Sequence, residues 1–227
     1  MSEFIFMLTH NDRTVDNALE VLEQVKDTGL RHIGFKDVGA TPEKARELTA
    51  AAHAAGLVVY LEIVSVDKAD EMASIDAAIA AGVDWIVGGK FAAEAVEKLA
   101  GTGIKFAPFP GRVAGHPSEL LGSIDEITAH AAELTKMDGV DGVDLLAYRH
   151  GSVDPLELTA AVAKVVDGPT IAAGSVVTEA QIRGLAEAGV WGFTIGAAIF
   201  DGKLPGEKEF VSQVRTALAF AHDGARI

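Results

Sequence analysis

The chain alternates between short apolar runs and longer segments in which apolar residues recur at helical spacing. Eight apolar runs predict β-strands, at 4–9, 32–38, 58–65, 85–89, 105–109, 143–149, 170–174 and 191–196. Segments rich in Ala, Leu and Glu lie between these runs, as at 17–25 and 45–51, and predict helices. Strands that alternate with helices indicate βαβ units and a parallel sheet.

Several predicted helices end in the same short motif, in which glycine follows alanine and precedes valine or leucine. Ala-Ala-Gly-Leu at 54–57, Ala-Ala-Gly-Val at 80–83 and Glu-Ala-Gly-Val at 187–190 each place glycine where a helix ends in a left-handed residue. Thr41 and Thr178 have the character of helix N-caps. Repeats of about 25 to 30 residues favour a closed barrel of like units.

The length of the chain fits one such barrel. Its 227 residues predict a single-domain α/β protein, a (β/α)8 or TIM barrel over residues 1–227. An open doubly wound sheet is the alternative. It is disfavoured because no Gly-x-Gly-x-x-Gly follows the first predicted strand.

The net charge, the cysteine content and the lengths of the apolar runs exclude several classes of protein. A formal net charge of −14 argues against a nucleic-acid partner, since phosphate backbones require a basic surface, yet it permits a small phosphorylated ligand. The absence of cysteine excludes disulfides, thiolate metal sites and thiol nucleophiles. The first eight residues lack a basic region, and no apolar run has membrane-spanning length. We therefore expect a cytoplasmic protein without a membrane partner.

Two strands near the C-terminus end in glycine and predict a phosphate site. Gly174 and Ser175 follow the seventh strand, and Gly196 and Ala197 follow the eighth. Glycine lets backbone amides approach an anion, and a helix N-terminus adds partial positive charge. The loops after the last two strands of a (β/α)8 barrel commonly bind phosphate. Tight turns without a ligand are the alternative.

The last two strands also carry a family resemblance. The sequence Ala-Gly-Val-Trp-Gly-Phe-Thr-Ile-Gly-Ala-Ala-Ile-Phe at 188–200, with the strand before it, resembles the ribulose-phosphate-binding barrel superfamily. Within that superfamily it is most similar to the isomerases of histidine and tryptophan biosynthesis. The resemblance implies that a substrate phosphate is held at Gly174, Ser175, Gly196 and Ala197.

Two departures limit what the resemblance implies about the reaction. The fifth strand ends in Pro-Phe-Pro at 108–110, where those isomerases carry an aspartate. The third strand reads Leu-Glu-Ile-Val-Ser at 61–65 and lacks the Asp-x-Lys-x-x-Asp array of orotidylate-decarboxylase-like proteins. Neither reaction is therefore expected to transfer to this chain.

An inward-facing lysine and glutamate are the leading candidates for chemistry. Strand alternation points Lys36 and Glu62 into the barrel mouth, on neighbouring parallel strands. Lys36 can stabilise an enolate while Glu62 or Asp37 moves the proton, or it can form a Schiff base. Lys90, after the fourth strand, is a second lysine for these roles. A buried structural ion pair is the alternative.

The remaining candidates for substrate contact lie on loops, and they are Asn11, Arg112, His116 and Arg149. Asp12, beside Asn11, is a further candidate for substrate contact, and both residues equally suit the cap of the first helix. The irregular segment 108–123, which carries Arg112 and His116, is expected to be a lid or a rigid surface loop. Arginine suits a carboxylate or a second phosphate, and histidine suits proton transfer. Solvated surface positions are the alternative.

These features predict a metal-independent isomerase or epimerase that acts on a small phosphorylated carbohydrate or related metabolite by proton transfer next to a carbonyl. A Schiff-base aldolase or lyase and a non-catalytic barrel that binds phosphorylated metabolites are the alternatives. The sequence has no cluster of His and Asp at a strand end that would indicate a metal site, and no cofactor is expected. The substrate and the oligomeric state, including a homo-oligomer, stay open.

Overall fold

Eight parallel strands form the centre of the molecule. A computed structural model describes residues 2–223. The strands are β1 (Glu3–Met7), β2 (His32–Lys36), β3 (Val58–Ile63), β4 (Trp85–Gly88), β5 (Lys105–Ala107), β6 (Val143–Leu145), β7 (Thr170–Ala172) and β8 (Gly192–Ile195). They pair in the order β6-β7-β8-β1-β2-β3-β4-β5. Every predicted strand is therefore present, and sequential strands are neighbours.

The seam between β5 and β6 closes the sheet. The amide of Asp141 donates to the carbonyl oxygen of Phe106 at 2.8 Å, and the amide of Asp144 donates to that of Pro108 at 3.0 Å. The Asp141 carboxylate also accepts from the Phe106 amide at 2.9 Å. The predicted (β/α)8 barrel is confirmed, and the alternative of an open sheet is wrong.

Helices connect the strands, and they are α1 (Ala18–Val25), α2 (Pro42–Ala54), α3 (Lys68–Ala81), α4 (Ala92–Leu99), α5 (Ile124–Leu134), α6 (Pro155–Val165), α7 (Glu179–Glu187), α8 (Ala197–Phe200) and α9 (Phe210–Asp223). Thr41 and Thr178 cap α2 and α7, as predicted, and Gly82 ends α3 with a φ of 71°. Within residues 2–223, no helix is both long and apolar enough to cross a bilayer.

Strand alternation divides the core into two parts. The inside of the barrel is filled by Ile5, Met7, Tyr60, Trp85, Val87, Ala107 and Ile171. Ile33 and Phe35 of β2 pack outward, among the residues that the helices cover. Gly34 faces inward, where an added Cβ would lie 2.5 Å from the sulfur of Met7. The predicted faces of β2 are therefore confirmed, and Lys36 shares the inner face.

Two antiparallel hairpins lie at the C-terminal mouth of the barrel. Hairpin 1 pairs Thr9–His10 with Arg13–Thr14, and hairpin 2 pairs Arg112–Ala114 with Glu119–Leu121. Hairpin 2 lies within the long loop that the sequence predicts to be a lid or a rigid excursion.

Hairpin 1 corrects one expectation for the first loop. Asn11 and Asp12 form its turn, with φ angles of 49° and 60°, and do not cap α1. That helix begins at Ala18, after Asn17. The tight turn carries Asp12 back over the mouth of the barrel.

Candidate active site

Lys36 and Glu62 meet inside the mouth of the barrel. The register of β2 and β3 pairs the two residues directly. The Nζ atom of Lys36 lies 3.3 Å from Oε1 of Glu62, and the two side chains are only 5% and 4% exposed. Two charged groups this deeply buried require partners, because removing a charge from water is costly. The juxtaposition predicted from strand alternation is therefore present.

Asp12 is the second partner of Lys36. Its Oδ1 lies 2.5 Å from Nζ of Lys36. It also accepts two hydrogen bonds from Arg149, at 2.8 Å to Oδ1 and 3.1 Å to Oδ2. Burial alone would raise the pKa of Asp12, but the hydrogen bonds from Arg149 and the charge of Lys36 outweigh it and lower that pKa. Asp12 is therefore an ionised carboxylate that holds two cations.

Hairpin 2 covers this cluster through a single serine. The amide of Ser118 donates to Oδ2 of Asp12 at 3.3 Å, and its carbonyl oxygen accepts from Nη1 of Arg149 at 3.3 Å. His116, in the same turn, is 41% exposed and places Nδ1 3.9 Å from Oδ2 of Asp12. The hairpin is thus tied to the carboxylate that holds Lys36.

A third carboxyl group, that of Asp144 on β6, completes the cluster. Asp144 is fully buried, and neither carboxyl oxygen has a hydrogen-bond partner among residues 2–223. Burial raises the pKa of Asp144 well above its usual value, and the negative charge of Glu62 raises it further, with partial relief from Lys36 and Arg149. Burial and the charge of Glu62 therefore both favour the proton-bearing form of Asp144.

The loops after β7 and β8 leave backbone amides available. Gly174 and Ser175 are both left-handed, with φ angles of 76° and 58°. Within residues 2–223, the amides of Gly174, Ser175, Gly196 and Ala197 donate to no protein acceptor. Arg149 lies against Gly174, where an added Cβ would be 2.8 Å from its Cδ and closer still to its Nε. These amides and this guanidinium form a set of donors suited to an anion.

Asp37 does not belong to the cluster, so the expectation that it works beside Lys36 is wrong. Its Oδ1 accepts from the amides of Val38 at 2.9 Å and Val64 at 3.0 Å. Its Oδ2 accepts from the hydroxyl groups of Ser74 and Ser65. Asp37 follows Lys36 directly and therefore points to the opposite face of the strand, where it fixes the loops after β2 and β3.

Lys90 follows β4 at the same end of the barrel as Glu62, but among residues 2–223 its side chain contacts no member of the cluster, and its candidate role stays a prediction. Its side chain is exposed and donates to the carbonyl oxygen of Val66 at 2.6 Å. Its amide is held by the buried carboxylate of Glu71 at 2.9 Å.

Two loop candidates sit at the edge of the site. Asn11 is exposed at the turn of hairpin 1, beside Asp12. Arg112 is exposed on hairpin 2 and, with Arg149, Tyr148 and His150, lines a cavity of about 460 Å³. Of the loop candidates, Arg149 makes hydrogen bonds to the buried cluster and His116 lies 3.9 Å from Asp12, whereas Asn11 and Arg112 stay at its edge.

The part of the chain that the structure describes contains no group of side chains arranged to bind a metal ion. Among residues 2–223, no three His, Asp or Glu side chains are grouped to hold a metal ion. The carboxyl groups of Asp12 and Glu62 are each paired with Lys36 instead. The absence of a metal in the reaction stays a prediction.

Sequence reasoning missed two members of the site. Asp144 stands in an apolar run, Val-Asp-Leu-Leu-Ala at 143–147, where a carboxylate is unexpected on a buried strand. That single charge on the inner face was a usable signal. Ser118 offered no signal, because its contribution is a backbone amide and carbonyl brought over the mouth by hairpin 2.

Comparison with known proteins shows the fold alone. No family model matches the chain, and no curated protein matches it in sequence. Orotidine 5'-phosphate decarboxylase from Pyrococcus horikoshii superposes with a TM-score of 0.67 at 13% identity, over 99% of each chain. N-(5'-phosphoribosyl)anthranilate isomerase from Pyrococcus furiosus gives 0.61 at 15% identity, over 98% of this chain and 100% of that one.

N-acetylmannosamine-6-phosphate 2-epimerase from Clostridium perfringens is a third structural neighbour, with a TM-score of 0.63 at 16% identity over 86% of each chain. These likenesses confirm the (β/α)8 barrel fold, and the resemblance of the last two strands to the ribulose-phosphate-binding barrels stays an expectation. Different reactions occur on this one scaffold.

Proposed function

We propose that the protein is an acid–base enzyme that moves a proton next to a carbonyl in a small phosphorylated metabolite. The observation that carries the proposal is the buried Lys36, held between Asp12 and Glu62 at the C-terminal mouth of the barrel. Catalytic groups of (β/α)8 enzymes lie at this end, whereas residues at the other end serve stability. A costly cluster of charges at the mouth therefore favours function over packing.

Each member of the pair has a role in this proposal. Glu62 takes the proton from the carbon beside the carbonyl, and the ammonium group of Lys36 stabilises the enolate oxygen that forms. The Nζ atom of Lys36 is held by Asp12 at 2.5 Å and by Glu62 at 3.3 Å. A lysine engaged by two carboxyl groups is not free to attack a carbonyl carbon, so the geometry favours enolate stabilisation over a Schiff base.

The amides of Gly174, Ser175, Gly196 and Ala197 would hold the substrate phosphate, with Arg149 beside them. They are available in this structure, and they lie on the loops that commonly bind phosphate in (β/α)8 barrels. The names of the three structural neighbours each include a phosphorylated compound. Hairpin 2 must move before a substrate can reach Lys36, since Ser118 lies over Asp12.

Hydrogen exchange with solvent tests the proposal. The protein is incubated in heavy water with pentose 5-phosphates, hexose 6-phosphates and 2-acetamidohexose 6-phosphates, and deuterium on carbon is followed by mass spectrometry. We expect exchange with at least one compound, and a loss of about 10²-fold or more in Glu62→Gln. Glu71→Gln is the matched control, because Glu71 is equally buried but only fixes the loop before α4. Absence of exchange with every compound contradicts the proposal.

The Schiff-base alternative is separated by a second measurement. The same compounds are mixed with the protein and borohydride, and the masses of the tryptic peptides are measured by mass spectrometry. We expect no reduced adduct. An adduct on Lys36 would establish lyase-type chemistry instead.

A further inference from the structure

Asp144 occupies a position that is energetically unfavourable for a carboxyl group. The side chain is fully buried on β6, and within residues 2–223 both carboxyl oxygens lack a hydrogen-bond donor. Buried polar groups in proteins are almost always paired, so an unpaired one requires an explanation, and a catalytic role is one such explanation. An apolar residue of similar size would serve packing better, so packing does not account for Asp144.

The strand register brings Asp144 to the same level as Glu62. Glu62 pairs with Val87 on β4, and Val87 pairs with Ala107 on β5. The amide of Asp144 then donates to the carbonyl oxygen of Pro108, one residue beyond Ala107. At this level Val87 and Ala107 are the residues of β4 and β5 that lie between the two carboxyl groups on the inner face. Glu62 and Asp144 therefore approach the reaction space from different sides.

We propose that Asp144 is a catalytic acid that delivers a proton to the substrate from the side opposite Glu62. The inference rests on the proposed function and deepens it. Two carboxyl groups in different protonation states form an acid–base pair set by their environments. Burial and the charge of Glu62 raise the pKa of Asp144 well above its usual value, which favours the proton-bearing form.

With Asp144 as the acid, every proton and electron pair of the reaction is accounted for. The carbon–hydrogen bond breaks, its proton goes to Glu62, and its electron pair moves into the enolate, whose oxygen faces Lys36. The enolate carbon next takes the proton of Asp144, and the carbonyl forms again. Glu62 ends protonated and Asp144 ionised, and proton transfer through water restores both. Because the two protons come from different sides, the reaction class is epimerisation of a phosphorylated sugar.

The first test uses the protein without substrate. At neutral pH, infrared spectroscopy of the wild type should show the carbonyl stretch of a protonated carboxyl group, and Asp144→Asn should lose it. Asp141→Asn is the matched control, because Asp141 lies at the same seam and only accepts from the amide of Phe106. A spectrum in which Asp144→Asn changes nothing overturns the proposal.

The second test separates the two proton transfers with the phosphorylated sugars named above. In heavy water, Asp144→Asn should still exchange the substrate hydrogen through Glu62, but should form the epimer about 10²-fold or more slowly than the wild type. Glu62→Gln should lose both exchange and epimer formation. Circular dichroism confirms that each variant is folded.

The outcomes distinguish this inference from the proposed function. Epimer formation by Asp144→Asn at the wild-type rate overturns the acid role and leaves the proposed function standing. If a folded Asp144→Asn loses both deuterium exchange and epimer formation, the acid role is also overturned, because Asp144 then does not act in the second proton transfer alone. Absence of exchange in the wild type contradicts the proposed function itself, and the acid role with it.

Discussion

Arg149 holds both carboxylate oxygens of Asp12, at 2.8 and 3.1 Å, and at the same time lies against Gly174. It therefore joins the charge cluster of the barrel mouth to the loop whose amides are free to bind an anion. Its hydrogen bond to the carbonyl oxygen of Ser118 extends this connection to hairpin 2. We expect an anion bound at Gly174 to compete with Asp12 for Arg149, which would couple ligand binding to the contacts that hold hairpin 2.

Removal of Arg149 should weaken both the fold and phosphate binding. Arg149→Ala leaves the buried Asp12 with one cation, so we expect the free energy of unfolding to fall by about 2 to 3 kcal/mol. Urea denaturation measures this change, and titration with inorganic phosphate measures the affinity. Arg112→Ala, an exposed arginine on hairpin 2, should change stability by less than about 0.5 kcal/mol. Equal effects of the two substitutions would contradict the role given to Arg149.

A methyl group at Gly174 should displace Arg149. The added Cβ would lie 2.8 Å from Cδ of Arg149, and the residue has a φ of 76°. Gly174→Ala should therefore lower the affinity for inorganic phosphate about tenfold or more, since Arg149 and the loop amides shift together. Gly56→Ala is the control for backbone strain alone, because Gly56 has a φ of 75° and an added Cβ meets nothing within 4 Å. Unchanged phosphate affinity in Gly174→Ala would count against the site.

Asp12 should stabilise the fold above its unfolded pKa and lose that effect in acid. Its pKa is lowered in the folded state, so its contribution is complete above about pH 4 and declines as the pH falls towards the folded pKa. The difference in unfolding free energy between the wild type and Asp12→Asn should be about 2 to 4 kcal/mol at pH 7 and should shrink below pH 4. A difference that stays constant from pH 7 to pH 3 would contradict the ionised, paired state of Asp12.

Asp144 should have the opposite pH dependence. Its pKa is raised in the folded state, so above about pH 4 the unfolded chain releases a proton that the folded chain keeps. The wild type should therefore lose stability relative to Asp144→Asn as the pH rises from 4 to 7, by up to about 1.4 kcal/mol per pH unit. Denaturation curves of the two proteins at each pH test this. Parallel stability profiles would show that Asp144 is ionised in the fold.

The fold was predictable because its signals are local. Alternation of strand and helix patterns, the caps at Thr41 and Thr178, and the glycine that ends α3 all lie within single elements. The pair of Lys36 and Glu62 was predictable for a related reason, since neighbouring parallel strands in register bring inward residues together.

The rest of the site depends on distant segments. Asp12 reaches Lys36 through a two-residue turn whose hairpin the sequence pattern did not reveal. Ser118 contributes backbone groups from a hairpin 106 residues further along the chain. Asp37 follows Lys36 directly, so strand alternation already places it on the opposite face, and its contacts with Val38 and Val64 show that it serves the loops.

Deuterium exchange by Lys36→Met is the most direct test of the central claim that Lys36 stabilises an enolate. We expect exchange into the phosphorylated sugars to fall by about 10²-fold or more, because the developing oxyanion loses its cation. Lys90→Met, which alters an exposed lysine outside the cluster, should exchange at the wild-type rate. Exchange at the wild-type rate by a folded Lys36→Met would contradict the account.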